Sequence, residues 1–175
     1  DGERNLMLFT RMGRVCRFDE SAVRAMGRTA FGVRGIRLSD EDEVISMIVD
    51  RGEQVLTVSE KGFGKRSGIE EYPVKGRGTQ GVLSMKLSER TGNVVAAIPV
   101  KEGDDIMLIA ATGQLVRTSV NEVSVLSRNT QGVKLINLRD TYLVGVDRID
   151  AELVAEAAAA AEASEDGDPE VAPQD

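Results

Sequence analysis

Apolar and polar positions along residues 1–150 fall into runs of four to seven residues, too short for helices and without a 3.6-residue stripe. The first set is 6–9 (LMLF), 15–18 (VCRF), 32–38 (GVRGIRL) and 44–49 (VISMIV). A second set follows at 55–58 (VLTV), 64–67 (GKRS), 81–87 (GVLSMKL) and 94–100 (VVAAIPV). The third is 106–109 (IMLI), 115–118 (LVRT), 132–138 (GVKLINL) and 142–146 (YLVGV). Val and Ile are frequent in these runs and Gly, Asn, Asp or Ser bound them, so the pattern predicts short β-strands throughout.

The three sets are copies of one unit. Aligning Gly13, Gly62 and Gly113 puts Arg17, Arg66 and Arg117 four places later and Arg28, Arg77 and Arg128 fifteen places later. Gly32, Gly81 and Gly132 then coincide, each followed by Val, and Leu38, Leu87 and Leu138 share one place. The period is 49 and then 51 residues. Four strands in about 50 residues is the period of a propeller-like blade. The expected organisation is all-β: three blades at about 1–52, 53–103 and 104–150, followed by a tail at 151–175. One such sheet exposes apolar faces, and closed rings have about four to eight blades. Three copies therefore predict a fragment of a larger disc or spiral. A first residue of Asp rather than Met, close to a strand-like run, fits a piece of a longer protein.

The repeat disposes of two nucleotide-binding lures. The string at 76–81 (GRGTQG) spells G-x-G-x-x-G, but it aligns with GRTAFG, which lacks the middle glycine, and SRNTQG, which lacks the first and middle ones, so only the last glycine is common to all three. That glycine opens a strand rather than a helix, so no helix N-terminus meets a phosphate, and its use is conformational. The string at 62–68 (GFGKRSG) lacks both the upstream Gly and the following hydroxyl residue of a Walker loop.

Composition narrows the chemistry. Aromatics are 3% of the chain and Trp is absent, so the core is aliphatic. There is no His, which excludes a His-dependent triad and a His–Cys zinc site, and the single Cys16 excludes an internal disulfide and reads as a buried small residue. Tyr72 and Tyr142 read as strand residues. No apolar run is long enough to span a membrane. The reading is a non-catalytic chain without cofactor or metal, in a reducing cytoplasm.

The net charge of −7 is an average over unlike parts. Residues 151–175 hold eight acidic and no basic side chains, leaving 22 basic against 21 acidic in 1–150. In the tail, 151–163 (AELVAEAAAAAEA) has high helix propensity without a broad apolar face, and 164–175 (SEDGDPEVAPQD) has the composition of a disordered segment. Either it is a solvated end or it folds back and competes with an anionic partner.

The recurring cations are the candidate binding residues. Arg11 and Arg14 stand beside Arg17, Lys61 and Lys65 beside Arg66, and Arg117 is alone. At one equivalent place on successive blades they would form a band on a curved rim, able to hold duplex DNA through its phosphates without reading bases. Scarce aromatics argue against a stacking platform for single strands. For Arg28, Arg77 and Arg128, in a turn with Gly, Ser and Thr, both a structural tie and a partner contact remain open.

The runs GRVCRFDESAVRAMGRTAFGVRGIRL, GFGKRSGIEEYPVKGRGTQGVLSMKL and GQLVRTSVNEVSVLSRNTQGVKLINL resemble the last blades of the C-terminal DNA-wrapping domain of bacterial DNA gyrase A subunits. The resemblance covers nearly all of 1–150 and extends to an acidic tail. It implies a β-pinwheel in which adjacent blades exchange strands, and which bends double-stranded DNA around its perimeter to support ATP-dependent negative supercoiling. The implied partners are duplex DNA, the gyrase B subunit, and a second A subunit in an A2B2 holoenzyme at the nucleoid, with ATP and Mg2+ used by other domains. The implied DNA-facing residues are Arg11, Arg14, Arg17, Lys61, Lys65, Arg66 and Arg117, with Arg28, Arg77 and Arg128 undecided. The family's Q-R-R-G-G-x-G-like box is absent from the sequence, as are the catalytic tyrosine region and the ATP site. The equivalent domain of topoisomerase IV, or a propeller-type protein-interaction module, is the alternative.

Overall fold

The computed structural model describes residues 2–165. Eleven strands run in order: β1 (Asn5–Thr10), β2 (Arg14–Asp19), β3 (Val44–Val49), β4 (Gln54–Ser59), β5 (Phe63–Ser67), β6 (Val82–Leu83), β7 (Val94–Val100), β8 (Asp105–Ala110), β9 (Leu115–Ser119), β10 (Val133–Lys134) and β11 (Leu143–Ile149). One helix, α1 (Ala151–Glu165), follows them. A short 3-10 turn follows the second strand of each repeat, at Glu20–Ala22, Ile69–Glu71 and Val120–Glu122.

The strands make three antiparallel sheets in the orders β3-β1-β2-β6, β10-β5-β4-β7 and β11-β8-β9. Each sheet is built on a hairpin, with Leu8 facing Cys16 in the first, Thr57 facing Lys65 in the second and Leu108 facing Val116 in the third. The reading of four strands from one repeat gives way to the exchange of strands between adjacent blades that the resemblance implies. The third strand of each later repeat completes the preceding blade: β6 pairs with Arg14 and Val15 of β2, and β10 with Phe63 and Gly64 of β5. The donated strands are only two residues long. Residues 32–38, expected as a strand, form none, because no earlier sheet stands in this chain to receive them.

Glycine makes the donation possible. Gly81 and Gly132 have φ of +70° and +74°, and a Cβ at either would lie 2.1 Å from the Val15 carbonyl oxygen or 2.5 Å from that of Gly64. Any side chain would push the donated strand off its sheet.

The sheets face one another and bury aliphatic side chains between them. Met7, Phe9, Val15 and Ile48 of the first blade pack against Val55, Tyr72 and Ala97 of the second. Leu56, Val58 and Val100 of the second meet Ile106, Leu108, Val120, Val123 and Leu143 of the third. Cys16 is buried as the sequence implies. Tyr72 is not a strand residue: it follows the second 3-10 turn and sets its ring edge-on to Phe9 at 5.9 Å. Tyr142 stands exposed just before β11.

The strand β7 packs against both β3 and β11, so these three line the inner side of the array, and β6 and β10 lie at the opposite, outer edge. At the inner end of the third blade, fully buried Asp104 accepts from Lys101 N and Ala151 N and pairs with Arg148 at 2.8 Å. This fixes where α1 starts. No helix among the described residues is long and apolar enough to cross a membrane. The expectation for the polar end of the tail falls mostly on 166–175, outside the described residues.

Candidate nucleic-acid interface

The recurring arginines turn inward. Nη1 of Arg17 donates to the carbonyl oxygens of Ile69 (2.8 Å) and Tyr72 (2.7 Å) in the next repeat, and Nη2 pairs with Asp50 at 2.5 Å. Its side chain is 13% exposed. Burial alone would raise the Asp50 pKa, but the Gly52 N–H and then Arg17 outweigh it, and the carboxyl titrates below its usual value. Arg66 repeats the arrangement, donating through Nε to the Val123 carbonyl (2.8 Å) and through Nη1 to Gln54 (3.1 Å). Arg117 has no following turn to reach; it pairs with Asp105 at 2.6 Å and stays 46% exposed.

The second register set points the other way. Arg77 donates to the carbonyls of Ala22 (3.2 Å) and Arg34 (2.6 Å) in the first repeat. Arg128 donates to those of Glu71 and Leu83 in the second, both at 2.9 Å. These acceptors occupy equivalent places 49 residues apart. Each joint is thus laced by one arginine reaching forward and one reaching back. Arg28, with no earlier blade in this chain behind it, is exposed.

Arg17, Lys65 and Arg66, expected to face DNA, are instead turned into the body of the protein: carbonyls of the next repeat take most of their donors, with Asp50 taking one from Arg17 and Gln54 one from Arg66. Lys65 is fully buried, with Nζ on the carbonyls of Ser127 (2.8 Å) and Arg128. Burial pushes its pKa down to about 7, the nearby Glu71 carboxylate acting against that shift and Arg128 adding to it. Arg11 is half-exposed between Glu43 (3.9 Å) and Glu60 (3.5 Å), and Lys61 donates to the Glu89 carbonyl.

Of the expected set, Arg14 is exposed with its charged end unpaired among the described residues, and it lines a shallow cleft with Arg37, Ser39, Asp42 and Gln80. Arg37 was not among the sequence candidates; nor were Arg34, Lys86, Arg90, Lys134 and Arg139. All six are exposed, and none has a side-chain hydrogen bond or ion pair among the described residues. They lie on the third segment of each repeat or just after it, which in the second and third repeats carries the outer strands β6 and β10. Arg90 and Lys134 both stand over the ring of Phe63, at 5.1 and 5.7 Å from its centroid. Uncommitted positive charge thus stands along the outer segments, as it does at exposed Arg24, Arg28, Arg51 and Lys75, which also have no side-chain partner among the described residues, and phosphate oxygens are what such charge binds best. No group of three or more His, Cys, Asp or Glu suited to a metal occurs among the described residues.

The comparisons with known proteins agree with this architecture. The family model described as "DNA gyrase C-terminal domain, beta-propeller" matches residues 4–49, 53–101 and 104–148. The DNA gyrase A subunit of Salmonella typhimurium is 52% identical over 176 residues, covering 97% of this chain and 20% of the relative. That of Pseudomonas aeruginosa is 53% identical over 151 residues, covering 85% and 16%. This chain spans about a fifth of the length of such relatives. Among solved structures, a DNA gyrase A C-terminal domain matches with a TM-score of 0.78 at 28% identity, over 85% of this chain and 51% of that one. The C-terminal domain of a DNA topoisomerase IV matches with 0.81 at 24% identity, over 94% and 52%, a likeness of fold alone. With three blades matched in register and half the residues shared with gyrase A subunits, the chain belongs to the DNA gyrase C-terminal domain family.

Proposed function

We propose that this chain is the part of a gyrase A subunit that binds duplex DNA without regard to sequence and bends it along the outer edge of the blades. In the assembled enzyme, which also contains the B subunit, plus a second copy of the A subunit, the wrapped segment would be presented for strand passage. Negative supercoiling would be driven by ATP and Mg2+ at sites elsewhere in the assembly, in the cytoplasm where the chromosome lies. The acidic tail would compete with DNA for the cationic edge.

One observation carries the reading: Arg34, Arg37, Lys86, Arg90, Lys134 and Arg139 are exposed and, among the described residues, unpaired, on or beside the segments at the outer side of the blades. Cations without protein partners release counterions on meeting phosphate and cost nothing in broken ion pairs. Side chains that contact only the backbone carry no sequence information.

The test is binding of the intact protein to a linear duplex of about 150 base pairs, one persistence length, across a salt series. Log affinity should fall with log salt, and each outer cation replaced by Gln should lessen the slope by about 0.9. A slope indifferent to all six replacements would remove the proposal.

A further inference from the structure

We infer that Phe63 is a positioning residue for DNA: its ring gathers Arg90 and Lys134, from two successive repeats, into one paired phosphate grip on the second blade, where its core meets the first. The inference rests on the DNA-binding reading above and adds a mechanism to one place on that edge.

Three observations make the site a built one. Phe63 opens β5 and faces Lys134 directly in the register with β10, so the donated strand brings the lysine over the ring. Arg90 comes from the turn before β7 of the same sheet, and its guanidinium carbon lies 5.1 Å from the ring centroid. Both cations are within the ~6 Å at which a ring quadrupole attracts a positive charge, and neither has an acidic partner among the described residues.

The platform beneath them is rigid. Phe63 is only 5% exposed and packs with Met85 and Val94, with Ile45 and Leu87 against them. The Arg90 turn is closed by buried Thr91, whose hydroxyl accepts from Ser88 N (3.0 Å), while its carbonyl accepts from Lys61 N (3.0 Å). An exposed Lys or Arg on a free stem sacrifices rotamer entropy when it meets a phosphate. Here the ring has already restricted both stems.

The two centroid distances limit the separation of the charges to about 11 Å, short enough for neighbouring phosphates, which advance about 3.4 Å along the axis per strand. Two cations this close repel each other in the free protein, and the ring offsets part of that repulsion. A phosphate between or beside them converts it into attraction. The ring is particular to this blade: the position of Phe63 is taken by Arg14 in the first repeat and by Gln114 in the third.

The experiment uses the intact protein and the same duplex. R90Q and K134Q should each lessen the salt slope by about 0.9, and their affinity losses should be sub-additive in the double variant, because losing either cation spoils the grip. F63L, which keeps an apolar side chain in the pocket, should keep the slope and lower affinity about three- to ten-fold. It should have no further effect when R90Q and K134Q are both present. Strictly additive losses from R90Q and K134Q would overturn the pairing, whether or not F63L folds. An F63L loss of the same size without the two cations would show that Phe63 acts only on the fold. If R37Q and K86Q lessen the slope while R90Q and K134Q do not, this inference falls and the DNA-binding reading stands. If none of the six outer replacements does, the reading falls as well.

Discussion

Arg17 donates to the carbonyl oxygen of Tyr72 at 2.7 Å, a hydrogen bond from the second strand of one blade to the turn of the next. Its equivalent, from Arg66 to Val123, crosses the following joint. These bonds explain why the arginine recurs: each joint presents the same carbonyl, that of Tyr72 or Val123, just after the same 3-10 turn. A guanidinium is the side chain that satisfies several acceptors at once while remaining charged.

Removing this tie should cost stability before it costs binding. Arg17→Ala strips the Tyr72 carbonyl of its side-chain donor and Asp50 of its cation in a mostly buried place, while Ile69 O keeps the Tyr72 N–H and Asp50 keeps the Gly52 N–H, a loss of about 2–4 kcal/mol. Arg117→Ala, which removes one half-exposed ion pair with Asp105, should cost less than about 1 kcal/mol. Denaturant unfolding of the two variants compares them directly. Equal midpoints would mean that the joint does not depend on Arg17.

The same contrast says what the sequence can and cannot reveal. The 49- and 51-residue spacing exposes the blades because Gly81, Gly132, Arg17 and Arg66 meet a geometric demand that every joint repeats. Phosphate contact makes no such demand, since charge anywhere on the outer edge suffices. At one outer position the three repeats hold Arg37, Lys86 and Asn137, at another Arg34, Leu83 and Lys134. Recurrence therefore selected the arginines tied into the joints, and the exposed cations proposed to meet DNA fell outside the alignment. Burial of Lys65 was hidden for a related reason: its equivalents are Cys16 and Val116, two small residues, and only the packed joint shows that the odd member is inside. The repeat pattern marks the donated segments at 81–87 and 132–138 as strands but not the sheet they join, because pairing with a neighbouring blade leaves no trace in the spacing.

Strand donation itself can be tested at Gly81. A Cβ there meets the Val15 carbonyl oxygen at 2.1 Å, and φ is +70°, so Gly81→Ala must displace β6 from β2. Beyond the roughly 1 kcal/mol of backbone strain expected from φ alone, the clash should add a loss of similar size or more. Gly32→Ala is the control, since φ is +80° but nothing lies within 4 Å of the added carbon. Thermal melts should fall markedly further for Gly81→Ala than for Gly32→Ala. Amide exchange at Ser84, whose N–H donates to the Gly13 carbonyl, should quicken only in the former.

Binding and stability should separate cleanly at the outer edge. Arg37→Gln and Lys86→Gln remove charges with no protein partner among the described residues, so surface substitution leaves unfolding within about 0.5 kcal/mol of the parent. Each should still lessen the salt slope of duplex binding by about 0.9. Arg66→Gln should do the reverse, lowering the unfolding midpoint while leaving the slope of the folded protein unchanged. An Arg66→Gln slope that falls as far as that of Arg37→Gln would place Arg66 on the DNA after all.

Lys65 gives the blade joint a pH dependence of predictable sign. Its pKa is about 7 in the folded protein against the ordinary 10.5 that it regains on unfolding. Between those values the unfolded chain binds the extra proton, so stability rises as pH climbs from about 7 towards 10.5. Below pH 7 both states hold the proton and the charged amine remains a steady burden on the joint, offset in part by Glu71. Lys65→Met keeps much of the aliphatic stem and abolishes the titration. The difference in unfolding free energy between parent and Lys65→Met, followed from about pH 6 to about pH 10, should therefore move in favour of the parent above neutrality. A difference that stays flat across the range would mean that Nζ keeps its proton in the joint, held by the Ser127 and Arg128 carbonyls as firmly as by water.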